Sequence, residues 1–158
     1  MATPLDHAQH NQKLAERLFE EGVFLDWCVT VAYYACNHYA KYRLFPLGDH
    51  GIESLNSPIE NLDDYCKYKG FTDKHAALCD LFIERVDEKH GLSFRKLMNN
   101  CKTARYNNYE THIQIARDAI STMRSLEKIC SVKPQTGPIG KRTRIPVKAV
   151  KTKFPPGK

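Results

Sequence analysis

The chain is patterned for helices along most of its length. Apolar residues recur every three or four positions over several long stretches, and nothing in the sequence has the alternation typical of a half-buried strand. The strongest pattern runs from about Val23 to Leu44, which we predict to be the central helix. Its predicted inward-facing residues are Phe24, Trp27, Cys28, Val31, Tyr34, Ala35, His38 and Tyr42. We expect an all-α, up-and-down bundle of four to five helices.

End signals predict where the other helices begin and stop. Thr3 and Pro4 are typical of a helix N-terminus, and Gly22 is expected to interrupt the helix that they open. The remaining predicted helices are, in chain order, a short one opened by Ser57-Pro58 and stopped at Gly70, one capped by Thr72 and closed by Gly91, one from Ser93 to Tyr106, and one from Tyr109 to Cys130.

Charge divides the chain into a body and a tail. Residues 131–158 hold eight of the 24 basic residues and none of the 18 acidic ones, so residues 1–130 carry a net charge of −2. The same segment contains five of the eight prolines, and such a composition does not fold alone. We predict a helical domain over 1–130 and a disordered basic tail over 131–158. The tail either contacts phosphates or an acidic surface, or is solvated without a specific partner.

Hydropathy and cysteine usage favour a cytoplasmic protein. No run of about 18 apolar residues is present, and the start of the chain lacks the pattern of a signal peptide, so we expect no membrane association. The six cysteines fall mostly in helical patterns, and none forms a CxxC pair. We interpret them as buried thiols in a reducing compartment rather than as disulfides or metal ligands.

The junction of the last two predicted helices holds the candidate chemistry. Arg105 continues one apolar stripe, and His112 opens the next, with Asn107 and Asn108 between them. The polar side chains of Arg105 and His112 are therefore both expected to face the interior, where they need partners or a cleft. A histidine titrates near neutral pH, and arginine binds phosphate in a bidentate manner.

Two segments resemble the HEPN family (higher eukaryotes and prokaryotes nucleotide-binding). The first is Tyr33–His38, with an aromatic-Tyr-Ala-x-x-His pattern, and the second is Ala104–Tyr106. The similarity covers residues 5–130. It implies an all-α bundle that commonly forms homodimers and often cleaves RNA in toxin–antitoxin, abortive-infection or other defence systems. An antitoxin or another protein is then an expected partner.

The resemblance also implies a set of site residues. Catalytic members carry an arginine, four to six further residues and a histidine, and they act without a metal or cofactor. Arg105 and His112, with six residues between them, match that spacing. In this hypothesis Arg105 binds the scissile phosphate and His112 acts as base or acid, while Asn107, Asn108 and Tyr109 contact the RNA.

Other interpretations of these residues stay open. Arg85 and His90, with four residues between them, form another pair within the same range of spacing, in an acidic and lysine-rich interval typical of a solvated helix end. Arg105 and His112 are alternatively buried structural residues. The rival function is a non-catalytic, dimeric interaction module whose tail contacts nucleic acid or an acidic partner.

Two further histidines have competing interpretations. His38, on the stripe of the central helix, is expected to be a satisfied core residue rather than a ligand. His75 and Cys79 stand four residues apart, a spacing usable for zinc, but no second close pair accompanies them. We therefore predict no metal site.

Overall fold

The computed structural model describes residues 1–47, 58–106 and 110–132, which form six helices. These are α1 (Pro4–Glu21), α2 (Leu25–Leu44), α3 (Leu62–Lys69), α4 (Lys74–Arg85), α5 (Glu88–Tyr106) and α6 (Ile113–Cys130). The described residues contain no strand, only an isolated bridge between Leu47 and Ile59. The all-α prediction is confirmed, with six helices instead of four or five. The predicted disorder of the tail concerns residues 133–158, which lie outside the described part.

None of the helices in the described ranges combines the length and the apolar character that crossing a membrane requires. Even α2, which has the most buried residues, carries charged residues at both ends, among them Asp26 and Arg43.

Helix α2 is the centre of the bundle and packs against α1, α4, α5 and α6. The predicted inward stripe of this helix is only partly right. Phe24 and Trp27 are 68% and 58% exposed, whereas Tyr33 and Tyr39, which the stripe left out, are buried. A helix enclosed by four neighbours is buried on several sides, so a single apolar stripe does not describe it.

Local chemistry explains why α1 begins and ends where predicted and why α3 ends where predicted. The Thr3 hydroxyl accepts from the Asp6 amide at 3.2 Å, and the Asp6 carboxylate accepts from the Thr3 amide at 2.7 Å, which completes a capping box. Gly22 and Gly70 then close α1 and α3 with φ of 68° and 72°. Glycine adopts this left-handed conformation without steric cost.

The predicted start of α3 at Ser57-Pro58 is wrong. Ile59 instead pairs with Leu47 through backbone hydrogen bonds of 2.9 and 3.2 Å, which keeps the chain extended. The helix begins after Asn61, whose side-chain oxygen accepts from the Asp64 amide at 3.0 Å. Ser57 itself lies outside the described residues.

The predicted cap of α4 is displaced by one residue. Asp73, rather than Thr72, is the N-cap, and one oxygen of its carboxylate accepts from the amides of His75 and Ala76, both at 3.0 Å. A carboxylate that satisfies two amides at the positive end of the helix is a stronger cap than a hydroxyl.

The predicted boundary between α4 and α5 is also wrong. Gly91 and Ser93 lie inside α5, which begins at Glu88. A Cβ on Gly91 would lie 2.4 Å from Cγ1 and 3.0 Å from Cα of Ile83, so glycine is needed here for the close contact of two helices and not as a terminator. The Ser93 hydroxyl donates to the Lys89 carbonyl at 3.2 Å.

All six cysteines are buried, as predicted from their helical pattern. Burial raises the pKa of each thiol, to about 11 for Cys28 and to about 12 for Cys79 and Cys130. The thiols of Cys36, Cys66 and Cys101 are shifted in the same direction, again mainly by burial.

The contact at Gly91 gives a stability prediction. In an exposed helix position, replacing glycine by alanine stabilises a protein by about 1 kcal/mol. We expect Gly91→Ala to lower the free energy of unfolding by about 1–3 kcal/mol, because the new methyl group overlaps Ile83. Urea unfolding measures the change. Ser121→Ala, at an exposed position of α6, is the control and should be nearly neutral; a Gly91→Ala protein as stable as wild type would contradict the packing.

His38 makes the stability of the fold depend on pH. Its ring stacks on His7 with centroids 5.2 Å apart, and its pKa is lowered from 6.5 to about 4, mainly by burial and then by Lys41 and His7. The unfolded chain therefore binds a proton that the folded protein does not, and stability falls as the pH drops from 6.5 toward 4.

We expect His38→Gln to lose less stability than wild type on acidification from neutral pH to about pH 5, by roughly 1 kcal/mol. Urea unfolding at both pH values provides the comparison. His10→Gln, at an exposed position of α1, serves as the control and should behave as wild type. Equal losses for His38→Gln and wild type would show that His38 is not the group responsible.

Candidate functional site

Arg105 lies in the last turn of α5 with its side chain exposed, contrary to the inward orientation expected from the apolar stripe. Its Nη1 donates to the Tyr34 hydroxyl of α2 at 3.0 Å, and the guanidinium lies 5.1 Å from the centroid of the Tyr106 ring. The neighbouring Cys101 and Ala104 are buried and occupy the inner face. Arg105 is therefore held along the surface by a hydroxyl, and its guanidinium has no carboxylate partner within the described residues.

The Arg105 cleft is a depression of about 100 Å³ between α2, α4 and α5. Its lining includes Tyr33, Tyr34, His75, Lys102, Arg105 and Tyr106. The volume is well below the roughly 300–1,000 Å³ of pockets for drug-sized ligands, so the cleft has room for one small group only. Cations and hydroxyls in the lining favour an anionic group over a neutral or cationic one.

Two of the Arg–His pairs of the sequence, Arg85–His90 and Arg105–His112, differ in their charge environment. Arg85 forms an ion pair with Glu84 at 3.3 Å, and His90 Nδ1 lies 2.6 Å from the Asp87 carboxylate. Arg105 has no carboxylate within ion-pair distance among residues 1–47, 58–106 and 110–132. Because carboxylates already accompany Arg85 and His90, Arg105 is the better receptor for a phosphate of these two arginines.

His75 is the member of the cleft that sequence reasoning missed. Its Nδ1 lies 2.7 Å from the Tyr33 hydroxyl, and burial, the largest cause, lowers its pKa below the usual value. The sequence offered only its spacing from Cys79, which is buried 4.0 Å from the Met98 sulfur. In the described part of the chain, no three potential metal ligands come together. Tyr33 and His75 are far apart in sequence, so no pattern could have paired them.

His112 is exposed and is the N-cap of α6, which begins at Ile113 instead of the predicted Tyr109. Its Nδ1 accepts from the Gln114 amide at 3.2 Å, so it stands outside the apolar stripe that begins at Ala116. The inward orientation expected for His112 is wrong, and so is the interpretation of His112 as a buried structural residue.

Of the predicted site residues that the structure describes, Arg105 lines the cleft and His112 does not. Arg105 meets Tyr34, Lys102 and His75 there. The remaining predicted substrate contacts, Asn107, Asn108 and Tyr109, lie outside the described residues. Two separate helices flank that segment, so Arg105 and His112 do not share one continuous helix.

Comparison with known proteins identifies the family of this helical body. No curated protein and no solved structure matches the chain. The family model of the HEPN domain matches residues 2–133, which includes all six helices and both segments of the sequence resemblance. The helical architecture and this match agree, and the chain belongs to the HEPN family.

Proposed function

We propose that this HEPN domain is a cytoplasmic, metal-independent endoribonuclease of a defence or toxin–antitoxin system. The observation that carries the proposal is the state of Arg105: exposed, hydrogen-bonded to the Tyr34 hydroxyl, and without a carboxylate partner in the described part of the chain. A guanidinium oriented by a neutral hydroxyl keeps its full charge for a phosphate, whereas an acid would compete with the ligand.

The proposed reaction is cleavage by the ribose 2′-hydroxyl. The 2′-oxygen attacks phosphorus as its proton passes to a base, and the bond to the 5′-oxygen breaks as that oxygen receives a proton. The products are a 2′,3′-cyclic phosphate and a 5′-hydroxyl. Arg105 stabilises the charge that develops on the phosphoryl oxygens, and His112 exchanges one of the two protons.

The exposed cap position of His112 supports its assignment to proton transfer. Because Nδ1 accepts from the Gln114 amide, the ring proton is placed on Nε2. In the proposal, Asn107, Asn108 and Tyr109, in the segment between the two helices, contact the ribose or a base. The basic segment 131–158 adds affinity for RNA through release of counterions.

Substitution of the two proposed catalytic residues tests the reaction. With RNA as substrate and EDTA present, we expect Arg105→Ala to reduce the cleavage rate about 10²–10³-fold. His112→Ala should reduce it about 10²–10⁴-fold. Arg105→Lys should retain part of the activity, because it keeps the charge but loses the bidentate geometry. Circular dichroism checks that each variant is folded, and the products are analysed for cyclic phosphate ends.

The pair of Arg85 and His90 supplies matched controls for this experiment. Arg85→Ala and His90→Gln alter the same residue types at a site where carboxylates accompany both side chains. We expect both variants to cleave RNA at the wild-type rate. Cleavage that survives in folded Arg105→Ala, or that requires added metal, would refute the proposal.

Exposed aromatic residues favour a second candidate function, a dimeric interaction module. Phe24, at φ 49°, and Trp27 project from the start of α2, and Tyr106 is 72% exposed at the end of α5. Tyr34 of α2, seven residues after Trp27, contacts Arg105 of α5, the residue before Tyr106. Large exposed apolar side chains are typical of an interface.

The dimer gives a separate prediction. If α2 contributes the interface, Trp27→Arg should weaken self-association about 10-fold or more, because a buried aromatic anchor is replaced by a charge. Leu92→Arg, at a similarly exposed site on the first half of α5, should leave it unchanged. Light scattering after size exclusion measures the molar mass of each. A wild-type protein that is monomeric at all concentrations would contradict the dimer.

The tail distinguishes the interaction module from the nuclease. As a module, the chain would dock on nucleic acid or an acidic partner such as an antitoxin mainly through 131–158, so removing those residues should abolish binding while Arg105→Ala should matter little. As a nuclease, the chain should lose RNA cleavage in Arg105→Ala, whereas removing residues 131–158 should weaken RNA binding without abolishing cleavage.

A further inference from the structure

A chain of hydrogen bonds, which the proposed reaction does not use, joins Asn37, Tyr33 and His75. Asn37 is only 3% exposed, on the buried side of α2. Its Nδ2 donates to the Tyr33 hydroxyl oxygen at 3.5 Å, and that hydroxyl lies 2.7 Å from His75 Nδ1. This chain of hydrogen bonds leads from the core of the bundle to the floor of the Arg105 cleft.

The hydrogen bonds around Nδ1 favour one tautomer of His75. An amide nitrogen only donates, so the Tyr33 oxygen accepts from Asn37, and the Tyr33 hydroxyl has its hydrogen left to donate to Nδ1. Burial raises the pKa of Tyr33, which keeps that proton in place. Asn37 Nδ2 also lies 3.5 Å from Nδ1 itself. With two donors facing Nδ1, the ring proton resides on Nε2.

Several charged groups surround the imidazole. Asp73 raises its pKa, whereas Lys41, Lys102 and Arg105 lower it, and burial, the largest cause, lowers it further. Among the cleft-lining residues, Lys102 and Arg105 supply the charge. Protonation of His75 would add a third cation, so the neutral ring is favoured at pH 7.

Asp73, an acid beside the cleft, already has partners for both carboxylate oxygens. One oxygen of Asp73 accepts from two backbone amides at the start of α4, and the other accepts from Lys102 at 3.4 Å. His75 lies in the first turn of that twelve-residue helix, where the positive end of the dipole adds to the field. An anion in the cleft would thus meet donors and positive potential.

We propose that the Nε2–H group of His75 is a third donor, beside Arg105 and Lys102, to a phosphate of the RNA backbone bound in the Arg105 cleft. The inference rests on the proposed function, since RNA is the ligand. It makes His75 a binding residue that positions the phosphate, while the proton transfers stay with other groups. The cleft of about 100 Å³ is of a size for one phosphate group and not for a base.

Two substitutions at the same position separate this role from a merely structural one. The amide nitrogen of His75→Gln can take the place of Nε2, whereas that of His75→Asn is too short and stands near Nδ1. We measure binding of a 2′-O-methyl oligonucleotide, which resists attack by the 2′-oxygen. His75→Asn should bind about 10–100-fold more weakly than wild type, as loss of a hydrogen bond to a charged group predicts. His75→Gln should bind within about threefold of wild type.

Cleavage kinetics and a spectroscopic signature complete the experiment. With cleavable RNA, His75→Asn should raise KM and leave kcat unchanged, because the lost contact is made equally in the ground state. Nitrogen-15 spectra of the histidine ring should show the proton on Nε2 in the free protein and a shift of that nitrogen when oligonucleotide is added. Tyr33→Phe keeps the imidazole but leaves Nδ1 with the more distant Asn37 donor alone, so the preference for a proton on Nε2 should weaken.

The outcomes distinguish this inference from the nuclease proposal. Oligonucleotide binding that depends on His75, without any RNA cleavage by wild type, would refute the nuclease and support the phosphate site. RNA cleavage by wild type and His75→Asn with equal KM would overturn the role of His75 alone. A ring proton found on Nδ1, or an unshifted Nε2 signal with oligonucleotide, would also overturn it.

Discussion

The fold depends on three tyrosine hydroxyls of the enclosed helix α2, each of which bonds a different neighbour. Tyr39 donates to Gln12 of α1 at 2.5 Å, Tyr33 meets His75 of α4 at 2.7 Å, and Tyr34 accepts from Arg105 of α5 at 3.0 Å. A helix with four neighbours has little access to water, so its polar groups require protein partners. The need of these hydroxyls for protein partners orients the bundle, and it also holds His75 and Arg105 at the cleft.

Local signals in the sequence predicted what local chemistry controls. The capping box of Thr3 and the glycines at 22 and 70 act through their own neighbours, and the helix ends were correct there. Gly91 was misinterpreted because its reason is the proximity of Ile83 in another helix. The same limit applies to α2, whose exposed Trp27 and buried Tyr39 follow from the arrangement of four helices around it.

The site was predictable only in part, because local sequence signals do not show contacts between helices. Arg105 was found from its place before a helix break and from the resemblance to the family, although its exposure was not foreseen. His75 carried only a spacing to Cys79 that suggested a metal ligand, and its true partner is Tyr33 on another helix. A contact between residues so distant in sequence is set by the packed fold, which no local pattern encodes.

The buried cysteines make the protein its own reporter of unfolding. Thiols react as thiolates, and burial both shields these six sulfurs and raises the pKa of every one of them. They are spread over α2, α3, α4, α5 and α6, so each helix except α1 carries at least one. The rate at which an alkylating reagent modifies each cysteine therefore measures how often that helix opens. Comparison of the six rates would distinguish local fraying from opening of the whole bundle.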